Sequence, residues 1–65
     1  MHRLERWLTE NHVTYEYLAG KLGVTSPAIF HYVEGRNLPS AKNLVRLSEI
    51  TGIPCGELLS EEAAA

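Results

Sequence analysis

A chain of 65 residues has room for one domain around one small core, and its 45% hydrophobic content is enough to pack one. The single cysteine excludes an internal disulfide framework, so packing alone must hold so small a fold. A net charge of −2 runs against the basic balance usual in small nucleic-acid binders, so any phosphate contact has to come from a local cluster.

In chain order, the first helix is predicted from about His2 to Asn11, with Leu4, Trp7 and Leu8 on one stripe. Thr14 is placed to cap a second helix, Tyr15 to Leu22, which buries Leu18, Ala19 and Leu22. Gly23 and Val24 form a turn, and Thr25 is expected to cap a third helix with Pro27 in its first turn. That helix carries Ile29, Tyr32 and Val33 inward and stops at Gly35. Arg36-Asn37-Leu38-Pro39 reads as a loop with Leu38 as its apolar anchor. Ser40 caps a fourth helix in which Leu44, Leu47 and Ile50 repeat at helical spacing, and Gly52 ends it. Ile53 and Pro54 lead into a short fifth helix with Leu58 and Leu59, and residues 61–65 read as a disordered tail or the start of a linker. No strand pattern and no internal repeat is visible, so the expected architecture is all-α, a five-helix domain over residues 1–60.

The most informative stretch is Leu18-Ala19-Gly20-Lys21-Leu22-Gly23-Val24-Thr25-Ser26-Pro27-Ala28-Ile29. Ala19 lets a second helix cross closely, Gly23 can adopt the left-handed turn, and Leu18, Leu22, Val24 and Ile29 supply contacts across the corner. A small residue, a glycine and aliphatics at these offsets make a helix-turn-helix, whose second helix commonly enters the DNA major groove. The charges agree locally: Phe30 to Leu47 holds Arg36, Lys42 and Arg46 against Glu34 alone, whereas the chain end holds Glu57, Glu61 and Glu62. Binding through such a face should be modest and salt-sensitive.

From about Leu4 to Leu59 this order resembles the DNA-binding domains of lambdoid-phage Cro and repressor proteins and the bacterial regulators named after them. The resemblance rests on Leu18-Ala19, Leu22-Gly23-Val24-Thr25, Ile29, Gly35-Arg36 with Pro39-Ser40, and Thr51-Gly52-Ile53 before Glu57-Leu58-Leu59. It implies a compact five-helix lambda-repressor-like domain acting as a homodimer on a near-palindromic double-stranded DNA operator. It also implies base reading by Ser26, Pro27, Phe30 and His31. Phosphate contacts would come from Thr14 and Tyr15 at the second helix and from Arg36, Asn37, Ser40, Lys42 and Asn43 around the fourth. Thr25 joins this set because free N–H groups at a helix start attract phosphate. Many relatives carry Gln at the position of Tyr15 and Gln, Arg or Asn on the reading helix. Bidentate hydrogen bonds to a purine, worth about 1–3 kcal/mol each, are therefore largely missing from the third helix of this chain.

Each candidate has a plainer alternative. Phe30 either packs on a thymine methyl or folds back beside Tyr17 or Tyr32, and His31 either donates to a base or phosphate or is a solvated surface residue. Leu58 and Leu59 either form the dimer contact or close the monomer core. Arg46 is expected to pair with Glu49 or Glu16, and Cys55 to pack behind the fifth helix. Trp7, Leu4 and Leu8 read as core rather than as a ligand pocket.

The spacing of His2, His12, His31 and Cys55 matches no metal-ligand motif, no cofactor motif is present, and no catalytic arrangement is visible. An enzyme or a small-molecule binder is not expected. The polar start of the chain carries no secretion signal, no segment is long enough for a membrane span, and one cysteine suits a reducing cytoplasm. The expected function is a sequence-specific repressor that occludes a promoter. The rivals are a protein-interaction module docking through Tyr15, Tyr17 and Phe30, and an antitoxin-type autoregulator.

Overall fold

Five helices follow one another in the computed structural model, which describes residues 1–60: α1 (His2–Glu10), α2 (Tyr15–Leu22), α3 (Ser26–Glu34), α4 (Ala41–Thr51) and α5 (Cys55–Leu59). The expectation about residues 61–65 lies outside the described residues. No strand occurs among the described residues, and none of their helices is long and apolar enough to cross a membrane.

Local chemistry sets most of the boundaries. α1 stops one residue earlier than expected, because Asn11 folds over the helix end and donates from its side-chain Nδ2 to the Trp7 carbonyl at 2.9 Å. His12 follows in the left-handed region (φ 54), and the Val13 N–H then closes on the Leu8 carbonyl at 2.9 Å. Gly23 ends α2 and Gly35 ends α3 at φ 81 and 78, a region where a Cβ crowds the backbone, so glycine carries both turns. At the end of α4 the Thr51 hydroxyl donates to the Leu47 carbonyl at 2.8 Å and accepts from the Ile53 N–H at 3.1 Å, carrying the chain past Gly52.

Met1, Leu4, Leu8, Leu18, Ala19, Leu22, Ile29, Tyr32, Val33, Leu47, Ile53 and Leu58 form one buried core. α2 packs on α3, α1 on α3 and α5, and α4 on α2 and α5. Truncating one of its fully buried aliphatics to alanine costs about 2–5 kcal/mol, a large part of what a domain this small can muster.

Two apolar assignments change. Leu38 is 67% exposed and anchors nothing, whereas Pro39 is buried. Residues 38–40 run without helical turns, so neighbouring side chains face opposite ways, and Pro39 takes the inward place. Met1, assigned no role by its sequence position, is fully buried. Its ammonium donates to the carbonyls of Tyr32 and Val33, each at 3.0 Å. With Gly35 N–H on Tyr32 and Arg36 N–H on His31, the carbonyls of His31, Tyr32 and Val33 near the end of α3 all have partners. A positive charge at this end also complements the helix dipole.

Candidate nucleic-acid interface

The corner between α2 and α3 is built on Ala19, whose carbonyl accepts from both Gly23 N–H (2.8 Å) and Val24 N–H (3.0 Å). Leu18, Leu22 and Ile29 are buried across it. α3 is thereby divided into two sides. Ile29, Tyr32 and Val33 point into the core, Pro27, Phe30 and Glu34 are exposed, and Ser26, Ala28 and His31 lie half-buried between them.

Two capped helix starts belong to the same set of candidates. The Thr14 hydroxyl accepts from Tyr17 N–H at 3.0 Å at the start of α2, and the Ser40 hydroxyl accepts from Asn43 N–H at 3.2 Å at the start of α4. The N–H groups of Tyr15 and Glu16, and of Ala41 and Lys42, stay without intrahelical acceptors and can serve an anion.

Thr25 differs from the expectation. It holds the N-cap position of α3 with extended backbone, but its side chain makes no capping hydrogen bond. A cap hydroxyl bonds the N–H two or three residues on. Here the second residue on is Pro27, which has no N–H, and the third, Ala28, donates to the Thr25 carbonyl at 3.0 Å. The same proline leaves Ser26 as the one free N–H donor of the first two α3 residues, so the start of α3 is a poorer anion site than those of α2 and α4.

Phe30 is 43% exposed and lies beside neither Tyr17 nor Tyr32. Its ring is 6.4 Å from that of Tyr15 on α2, tilted by 41°, and 6.2 Å from that of its neighbour His31, tilted by 52°. Tyr17 instead holds the Lys21 ammonium 5.6 Å from its ring centre. Tyr15, a phosphate candidate in sequence, is thus also the buttress of Phe30, a tertiary contact with no local signature.

Among the cations, Arg36 bonds Glu34 across Gly35, Nε to Oε1 at 2.9 Å. The Arg36 side chain is largely exposed and that of Glu34 about one-third so, and Glu34 occupies part of the guanidinium that a phosphate would use. The alternation Glu34-Gly35-Arg36 was the available sequence signal for this pair. Lys42 and Asn37 are exposed and Asn43 is half-buried at the start of α4. Arg46 pairs with neither Glu49 nor Glu16: its Nη2 donates to the Lys21 carbonyl at 3.2 Å, satisfying a carbonyl near the end of α2.

In α5, Leu58 is 1% exposed and belongs to the core, while Leu59 is 42% exposed. The apolar leucine surface that α5 exposes is therefore that of Leu59. Cys55 opens α5, half-buried, with its Sγ 3.9 Å from the Leu44 carbonyl. Leu4 and Leu8 are core, and Trp7 packs partly buried against them. Beside Trp7 lies a depression of about 150 Å³ lined also by Arg3, Arg6, Glu10 and Ile53, with Arg3 tied to Glu57 at 2.9 Å. Among the described residues no group of His, Cys, Asp and Glu side chains is arranged to hold a metal ion.

Comparison with curated proteins and with solved structures gave no significant match. A protein-family model, described as helix-turn-helix, matches residues 4–58, which takes in the α2–α3 corner, both capped helix starts and nearly all of the core. The chain belongs to this helix-turn-helix family, of the Cro and repressor type, whose domains are DNA-binding regulators.

Proposed function

We propose that this chain is a sequence-specific repressor that binds a near-palindromic operator as a homodimer and occludes a promoter, with α3 in the major groove. The observation that carries this reading is the division of α3. Its buried side is fully used by the core, while Pro27, Phe30 and the edges of Ser26 and His31 face outward with no structural task. Thr14 and Tyr15 at the start of α2, and Ser40, Lys42 and Asn43 at the start of α4, would hold phosphates, with Thr25, Arg36 and Asn37 beside them. Contacts of that kind fix register, and the α3 side chains then specify bases. Dimerisation would use the exposed Leu59 of α5 and set the half-sites one helical turn, about 10–10.5 bp, apart. A chain of this type works in the cytoplasm.

Selection of the folded protein against a pool of randomised duplexes near physiological salt tests the reading. A near-palindromic consensus with half-sites one turn apart supports it, and a pool recovered without enrichment refutes it.

One observation favours a second reading. Tyr17 and Phe30 are both exposed aromatics, which suits a protein-docking surface. Salt separates the two: DNA binding weakens steeply as salt rises, and an aromatic protein interface barely responds.

A further inference from the structure

We propose that Phe30 makes the operator contact that reads the 5-methyl group of a pyrimidine, so that this chain distinguishes methylated from unmethylated bases at one position of each half-site. The inference rests on the reading of α3 as the major-groove helix. The exposed residues of α3 are Pro27, Phe30 and Glu34, and the carboxylate of Glu34 is engaged by Arg36 at the far end of the helix. Neither Pro27 nor Phe30 has a side-chain donor or acceptor. In the major groove, adenine, guanine and cytosine present donors and acceptors, and thymine adds a methyl group at C5. A phenyl ring set against a polar base edge buries groups it cannot satisfy, which is costly. The methyl is the one feature on these edges that such a ring favours, and 5-methylcytosine carries the same group at the same place.

The ring is also prepared for that task. Tyr15, from the other helix of the corner, stands against it at 6.4 Å, and His31 flanks it at 6.2 Å, while 43% of Phe30 stays open. A side chain already braced by its neighbours loses less conformational freedom on binding, so more of the methyl contact is retained as affinity. His31 remains free to hydrogen-bond a neighbouring base, and the methyl position is predicted to lie beside the one it reads.

The test replaces each thymine of the selected operator by deoxyuridine, one symmetric pair at a time, which removes the methyl and nothing else. Dissociation constants are measured by fluorescence anisotropy at one salt concentration for the parent, Phe30→Ala and Phe30→Leu proteins, each checked for folding by circular dichroism. One symmetric pair is expected to weaken the parent about fourfold per half-site, or about fifteenfold for both, the worth of one buried methyl. Phe30→Ala should bind the thymine and uracil duplexes alike, and Phe30→Leu, still apolar, should keep part of the difference. With cytosine at that position, 5-methylation should tighten the parent and leave Phe30→Ala unaffected. If a consensus is selected but every uracil duplex binds like its parent, α3 reads DNA without the methyl and the inference falls alone. If the uracil penalty survives in Phe30→Ala, another residue carries it and Phe30 is the wrong assignment. A pool without any consensus removes both this inference and the function it rests on.

Discussion

Thr25 stands at a helix start with a hydroxyl that bonds nothing in the cap, and this predicts an unusual pattern of stabilities. Thr14 and Ser40 each accept a backbone N–H, so Thr14→Ala and Ser40→Ala should each cost about 1 kcal/mol, the usual worth of a cap. For a domain of this size that is a fall in Tm of about 4–8 °C. Thr25→Ala removes no capping bond and should stay within about 0.5 kcal/mol of the parent, as an ordinary surface change does. The cause assigned to the difference is the missing N–H of Pro27, and it can be restored. In Pro27→Ala the hydroxyl of Thr25 gains a donor at the second helical position, while the loss of the proline's stiffness offsets the gain by about 0.4–1 kcal/mol. That single variant is therefore near neutral, but in its background Thr25→Ala should now cost about 1 kcal/mol. The four proteins form a cycle whose coupling is read from thermal unfolding followed by circular dichroism. A parent in which Thr25→Ala lowers Tm as much as Thr14→Ala would refute the argument, and so would a cycle with no coupling.

Three further outcomes are expected. Arg36→Ala should weaken binding to all DNA sequences about equally and reduce the salt slope by about one, whereas Glu34→Gln, which frees Arg36, should tighten binding; titrations at several salt concentrations read both. Acetylating the Met1 amine of a chemically synthesised chain leaves one N–H where the ammonium serves two carbonyls and removes the charge, and should cost about 1–3 kcal/mol in denaturant unfolding. Leu58→Ala should destabilise the monomer by about 2–5 kcal/mol, while Leu59→Ala should leave its unfolding nearly unchanged and lower the dimer population seen by analytical ultracentrifugation.

What the chain discloses on paper follows the range of the interactions involved. Helix ends at Thr14, Gly23, Gly35, Ser40 and Gly52 were legible because a cap or a left-handed turn is decided within three or four residues. The inward positions of α2 and α3 were legible because Leu18, Leu22, Ile29 and Val33 recur at the helical period. Thr25 misled because capping preference belongs to the residue, whereas the bond also needs a donor, and Pro27 withholds it. Leu38 misled because hydropathy does not say which of two neighbours in an extended loop faces inward. Tyr15 against Phe30, Arg46 on the Lys21 carbonyl and Met1 on the end of α3 join residues 15 to 32 positions apart, and no local pattern announces them. Most of the groups proposed to touch phosphate sit at helix starts, whose places in the chain local rules already locate.

The two-sided construction of α3 has a consequence for how such a protein can change its target. Ile29, Tyr32 and Val33 carry the packing, and Pro27, Phe30 and His31 form a separate set that the core barely uses. Variation in the second set is screened by recognition rather than by folding, so a library randomised at those three positions should consist mostly of folded proteins with altered preferences. A DNA-binding regulator built this way can acquire a new sequence preference in a few substitutions, without first having to survive an unstable intermediate.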